Sequence, residues 1–214
     1  MKQKRLLRNE KGFTLVEIAI VLIIIGLILG ATVKGGDLIQ SAKQKKFYNK
    51  FVKQWELTVL NYYDRTGGVL GDGTANGGVN AAANGAFDNI NTAAEWTAVE
   101  NRLEAVGLDL PTSNTANSYQ FTFKGKESGT RTVNLNLYYL NATSGGGGSG
   151  GGNVASNTLY MTGMPTDLAY AVDRFVDDIA DGRDGSFRQY TDASDWPSVV
   201  ATATVNTQYI LDVP

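Results

Sequence analysis

Hydrophobic positions along this chain change their period twice, and each pattern predicts a different element. Over residues 13–33 there is no period at all: the run is apolar throughout, with a single ionisable side chain, Glu17. That length suits a helix crossing a hydrocarbon core of about 30 Å. Over residues 37–65 the apolar positions Tyr48, Val52, Trp55, Val59 and Tyr62 recur every three or four residues, widened by Phe51 and Tyr63. This stripe predicts an amphipathic helix with one buried face. Joined, the two stretches predict one helix from residue 13 to about 64, roughly 80 Å long at its usual rise per residue. Gly30, Gly35 and Gly36 interrupt it. Because glycine costs about 1 kcal/mol against alanine inside a helix, the rod is expected to bend or melt there, unless the glycines serve close helix packing.

Past residue 65 the pattern breaks up. Residues 66–86 are rich in Gly and Asn, have neither period, and predict an irregular surface loop. They carry no GxxxxGK[ST] phosphate cradle. Thr92 and Glu95 frame a capping box that opens a short helix, with Trp96, Val99, Leu103 and Val106 on one face and Gly107 as its stop. Residues 118–124 and 131–140 alternate apolar and polar side chains and predict an antiparallel hairpin. Residues 144–153 are nearly all Gly and Ser, a connector with nothing to pack. A third strand is expected at 158–162, and the alternating tail at 198–213 is expected to close the sheet as one strand. Between them Leu168, Val172, Phe175 and Ile179 fall at helical spacing. The fold class predicted is α+β, a long N-terminal helix packed on an antiparallel sheet.

Composition narrows the chemistry. The chain has no Cys and no His, which removes disulfides, thiol nucleophiles and the commonest general base and zinc ligand. An enzyme is therefore a poor expectation. Charge is divided unevenly: residues 1–53 hold eleven Lys or Arg against three acids, and 54–214 hold eight against eighteen. An outer domain that acidic repels phosphates, so nucleic acid is a poor partner. Lys43, Lys45, Lys46, Lys50 and Lys53 cluster just past the apolar run. They suit anionic lipid, an acidic face of a neighbouring subunit, or plain solvation.

Glu17 is the anomaly of the apolar run. A carboxylate in hydrocarbon costs on the order of 3 kcal/mol, so it implies a partner that cancels it. The residues around it, Lys11-Gly12-Phe13-Thr14-Leu15-Val16-Glu17, resemble the prepilin cleavage and methylation signature of type IV pilins and of type II secretion pseudopilins. The resemblance implies cleavage after Gly12 by a prepilin peptidase, methylation of the new Phe13 amine, and a role for Glu17 in aligning subunits. It also supplies the missing partner, because an incoming Phe13 amine can sit beside a neighbour's Glu17 so that both charges are desolvated together. An ordinary signal peptide has a shorter apolar core and a small-x-small cleavage site. Basic residues stand on both sides of the run, Lys2, Lys4, Arg5, Arg8 and Lys11 before it and the lysine cluster after it, so charge alone does not orient it. The short leader is expected inside.

The resemblance divides the chain into a leader (1–12), a transmembrane and filament-core helix (13–33), an amphipathic spine (34–65) and a globular domain (66–214). It implies other pilins and an inner-membrane assembly platform as partners, with residence in the inner membrane before assembly into a periplasmic or extracellular filament. The family often places a proline in the spine. Here Gly30, Gly35 and Gly36 are the hinge candidates in its stead. Many pilins close their C-terminal region with a disulfide, which this chain cannot form. Asp173, Asp177 and Asp181 recur every four residues, joined by Asp178 and Asp184. Like charges so placed would relax around a hard cation. The segment resembles the Asp-x-x-x-Asp-Asp-Gly run of many pilin-like proteins, and some pseudopilins hold calcium in a late loop, which makes these five a candidate Ca2+ set. Here Ile179 and Ala180 displace the expected glycine. A solvated acidic face is the ordinary reading. Three expectations follow for function: a pilin or minor pilin, a secretion pseudopilin, or a membrane-anchored module that binds a cation or ligand.

Overall fold

The computed structural model describes residues 12–140, 155–190, 195–198 and 203–213. The leader upstream of Gly12 and the connector at 144–153 lie outside them. The chain divides into two compact units, Met1–Gln40 and Ser41–Pro214.

Helix α1 (Leu15–Phe47) begins in the first unit. It stays helical through Gly30, Gly35 and Gly36, and a Cβ built at any of them meets nothing within 4 Å. In the single chain, then, the helix does not melt at these positions, and the backbone hydrogen bonds outweigh the intrinsic cost of three glycines. Apolar side chains of this unit are exposed on every side, from Leu15 at 91% to Ile18 at 46%. A helix that is hydrophobic all round and covered by nothing among the described residues is built for another apolar environment.

In the second unit α1 passes through a π-helical turn, Tyr48–Val52, into α2 (Lys53–Thr66), which ends on left-handed Gly67. The wider turn, which the sequence period did not reveal, keeps Phe47, Phe51 and Val52 all buried alongside Trp55, Val59 and Tyr62. This face packs against a five-stranded antiparallel sheet, ordered β1-β2-β3-β5-β4. The strands are β1 (Gln120–Lys124), β2 (Thr130–Leu140), β3 (Ser156–Pro165), β4 (Phe187–Gln189) and β5 (Thr204–Ile210). The predicted hairpin forms, with Gln120 opposite Asn134 and Lys124 opposite Thr130. Phe47 meets Phe121 edge-on at 5.2 Å, and the Trp55 indole donates to the Ser118 carbonyl at 3.1 Å. Leu135, Leu137, Leu159 and Met161 line the sheet's inner face. Helix α3 (Ala93–Ala105) has both halves of the predicted capping box, and its Trp96 packs between Trp55 and Tyr119.

Two expectations are corrected. Helix α4 (Thr166–Val176) stops before Ile179, which is 69% exposed, so its buried face is Leu168, Ala169 and Val172. The chain leaves the helix there because Asp178 takes a left-handed backbone, φ 65°. The region at 66–86 has little regular structure, as expected, yet it is not a loose surface loop. Val69, Leu70 and Asp72 are buried in it. Asp72 accepts the amides of Asn84 and Gly85, and Asp88 accepts those of Gly73, Val79 and Asn80 at 2.8–2.9 Å. Two acids thus replace the strand or helix partner that these amides lack.

Candidate functional site

The motif region starts where α1 starts. Thr14 precedes the first helical residue and Glu17 stands three residues on, so the pair occupies the N-cap and third-residue positions of a capping box. The geometry bears this out: Glu17 donates its amide to Thr14 Oγ1 at 3.2 Å, and Glu17 Oε2 accepts from Thr14 N at 2.8 Å and Thr14 Oγ1 at 2.9 Å. Glu17 therefore has a partner inside its own chain. The Thr-x-x-Glu spacing that reveals this is the one that marks α3, and it was legible in the sequence. These bonds complete the helix end and bring no countercharge, so the acid stays available for ion pairing. Gly12 and Phe13 precede the helix, and Phe13 is 83% exposed. Gly12, Phe13 and Glu17 thus stand together at one end of the apolar helix.

The five aspartates of the candidate Ca2+ set are not gathered around one point. Asp173 is fully buried: its Oδ2 accepts from the Trp196 indole at 2.6 Å and from Gly182 N at 3.1 Å. Asp177 accepts from Ser186 N and Phe187 N, at 2.9 and 2.8 Å. Asp181 accepts from Arg183 N and Asp184 N. Asp178 and Asp184 are exposed. Among the described residues no group of three or more carboxylates is placed to hold a metal ion. Because α4 ends at Val176, the four-residue spacing of Asp173, Asp177 and Asp181 does not continue on a helix face. Instead these carboxylates fold the turn that leads into β4, with Gly185 (φ 91°) lying close against the Asp177 carboxylate.

Burial raises the Asp173 carboxyl to about 6, and the indole and amide donors, which favour its charged form, only partly offset this. Its second oxygen, Oδ1, is buried with no hydrogen-bond partner among the described residues, which costs less for a neutral carboxyl than for a charged one. The folded state thus binds this proton more tightly than the unfolded chain, whose Asp titrates near 3.8. Its contribution to stability is complete below about pH 4 and is lost as pH rises through about 6. Asp173→Asn keeps an acceptor for Trp196 and removes the titration. Thermal melts of the full chain in detergent should show a fall in midpoint from pH 4.5 to 7.5 that the variant lacks. An equal fall in both proteins would refute the assignment.

Lys43, Lys46 and Lys50 share one exposed helix face, as their spacing requires. Lys53 instead pairs with Glu56 at 2.7 Å.

Among known proteins, residues 7–33 match the family described as the prokaryotic N-terminal methylation motif, the signature of type IV pilin and pseudopilin precursors. No curated protein and no solved structure matches the chain. The matched segment ends before the second unit begins at Ser41. The motif marks structural subunits that assemble into filaments after processing by a prepilin peptidase.

Proposed function

We propose that this chain is a pilin or minor pilin of a type IV pilus-like filament, made as a precursor in the inner membrane. It is cut between Gly12 and Phe13, methylated on the new amine, and drawn through the assembly platform into a fibre whose core is the bundled 13–33 segments. The observation that carries this reading is the pairing of the methylation motif with a helix whose apolar side chains are exposed all round. Such a surface is satisfied twice, first by lipid and then by sister helices, and the exchange needs no hydrophobic driving force between two equally apolar environments. What then fixes the register is charge, with the methylated Phe13 amine of one subunit beside Glu17 of another. The spine at 34–65 carries the globular domain outward, and Gly30, Gly35 and Gly36 give the rod its hinge when neighbours pull on it.

Mass spectrometry of the chain from isolated fibres or membranes tests the processing. The expected species begins at Phe13 and is heavier than the unmodified cut chain by one methyl group. A mature chain that retains its leader would overturn the reading. Surface fibres at native expression mark a pilus; fibres seen only on overexpression would mark a secretion pseudopilus instead.

A further inference from the structure

The second unit carries two complementary surfaces at opposite edges of its sheet. At the β1 edge, Lys43, Lys46, Lys50 and Lys124 rim a groove of about 490 Å³ that is walled by Thr112, Ser113 and Asn114 and has the largely buried rings of Phe121 and Phe123 at its base. Lys43, Lys46 and Lys50 have no carboxylate partner among the described residues. At the β4 edge, the turn between α4 and β4 presents Ile179, 69% exposed, flanked by the exposed carboxylates of Asp178 and Asp184. One surface is apolar with a basic rim. The other is a single apolar side chain with an acidic rim, whose one cation, Arg183, is paired with Asp195 at 3.7 Å.

We infer that the lysine-rimmed groove of one copy receives the turn at 178–184 of a second copy, with Ile179 over Phe121 and Phe123 and the two carboxylates among the lysines. The inference rests on the filament reading and adds to it a contact between globular domains. Because the two surfaces sit at opposite edges of one sheet, the contact is heterologous: each copy offers a groove on one side and a turn on the other. Repeated, such a contact gives an open helical array unless its rotation happens to close a ring. Charge complementarity of this kind orients partners and excludes wrong ones. An anionic headgroup layer would use the same lysines, but it would leave the aromatic floor without an occupant.

The absence of cysteine makes the test direct. In the full-length chain, Thr112→Cys at the groove and Ile179→Cys on the turn should yield a ladder of disulfide-linked multimers when assembled fibres are oxidised. Lys46→Glu with Lys50→Glu should reduce the ladder about tenfold, since like charges then face each other across the contact. Adding Asp178→Asn and Asp184→Lys should restore it, with asparagine chosen because it tolerates the left-handed backbone at residue 178. Fibres that form normally without a ladder would overturn this inference and leave the filament reading standing. Failure of the unsubstituted chain to enter any fibre would overturn both. If the ladder instead persists undiminished with both lysines reversed, the groove does not receive the acidic turn and the inference falls.

Discussion

Glu17→Gln is expected to leave the precursor membrane-inserted and cut after Gly12, yet to lower its incorporation into fibres by about a hundredfold or more. The substitution separates the two roles of Glu17. Glutamine serves the third position of a capping box as glutamate does, so the acceptor for Thr14 survives and α1 still begins at Leu15. What disappears is the negative charge. Breaking one side of a desolvated ion pair costs about 3–5 kcal/mol, because the other charge is left uncompensated. At 1.4 kcal/mol per tenfold, that is at least two decades in assembly equilibrium. Glu17→Ala removes the cap as well and should assemble no better. Alkaline extraction reports insertion, the N-terminal mass reports cleavage, and the amount of chain in sheared fibres reports incorporation. A Glu17→Gln protein that enters fibres at the native level would rule out charge pairing as the register device and would leave the cap as the whole role of Glu17.

The second large effect is expected far from the motif. Asp88→Ala withdraws one buried carboxylate from three backbone amides, those of Gly73, Val79 and Asn80, and from the Asn80 side chain. Each buried donor left without an acceptor costs about 1–3 kcal/mol. Water entering the vacated space relieves part of this, so a loss of about 3–5 kcal/mol is expected, a fall of about 10 °C in melting midpoint for a domain of this size. Asp72→Ala should cost less, because among the described residues its carboxylate serves the amides of Asn84 and Gly85 alone. Melting curves of the three proteins in one detergent give the comparison. A fall below about 2 °C for the Asp88 variant would mean that the loop is not held through this carboxylate. Such a result would return the segment to the loose surface loop that its composition predicts.

That loop shows where sequence reasoning stops. Gly and Asn richness correctly predicts the absence of helix and strand, since these residues suit turns and left-handed backbone. It says nothing of which acids would collect the unpaired amides, because Asp88 reaches residues eight to fifteen positions away. Strand β4 escaped for a different reason: three residues are too few to display a period of two. The aspartates at 173, 177 and 181 suggested one helix face because their spacing is right for a helix that in fact ends at Val176. Only the partners of each carboxylate, Trp196 and the amides of residues 182 to 187, show that they build a turn.

The sequence by itself determined what depends on near neighbours along the chain. The apolar helix, the methylation motif at its start, the Thr92–Glu95 cap and the alternation of the β1–β2 hairpin all follow from residues within a few positions of one another. Only the tertiary structure decided what depends on distant residues meeting. It set the widened turn at Tyr48–Val52 that aligns the spine's buried face with the sheet. It also placed the buried acids of the loop and the strand order that puts a basic groove and an acidic turn at opposite edges. The physical reason is that backbone propensity and side-chain period act locally. Burial, by contrast, assigns each amide and each carboxylate a partner only once the whole chain has closed around them.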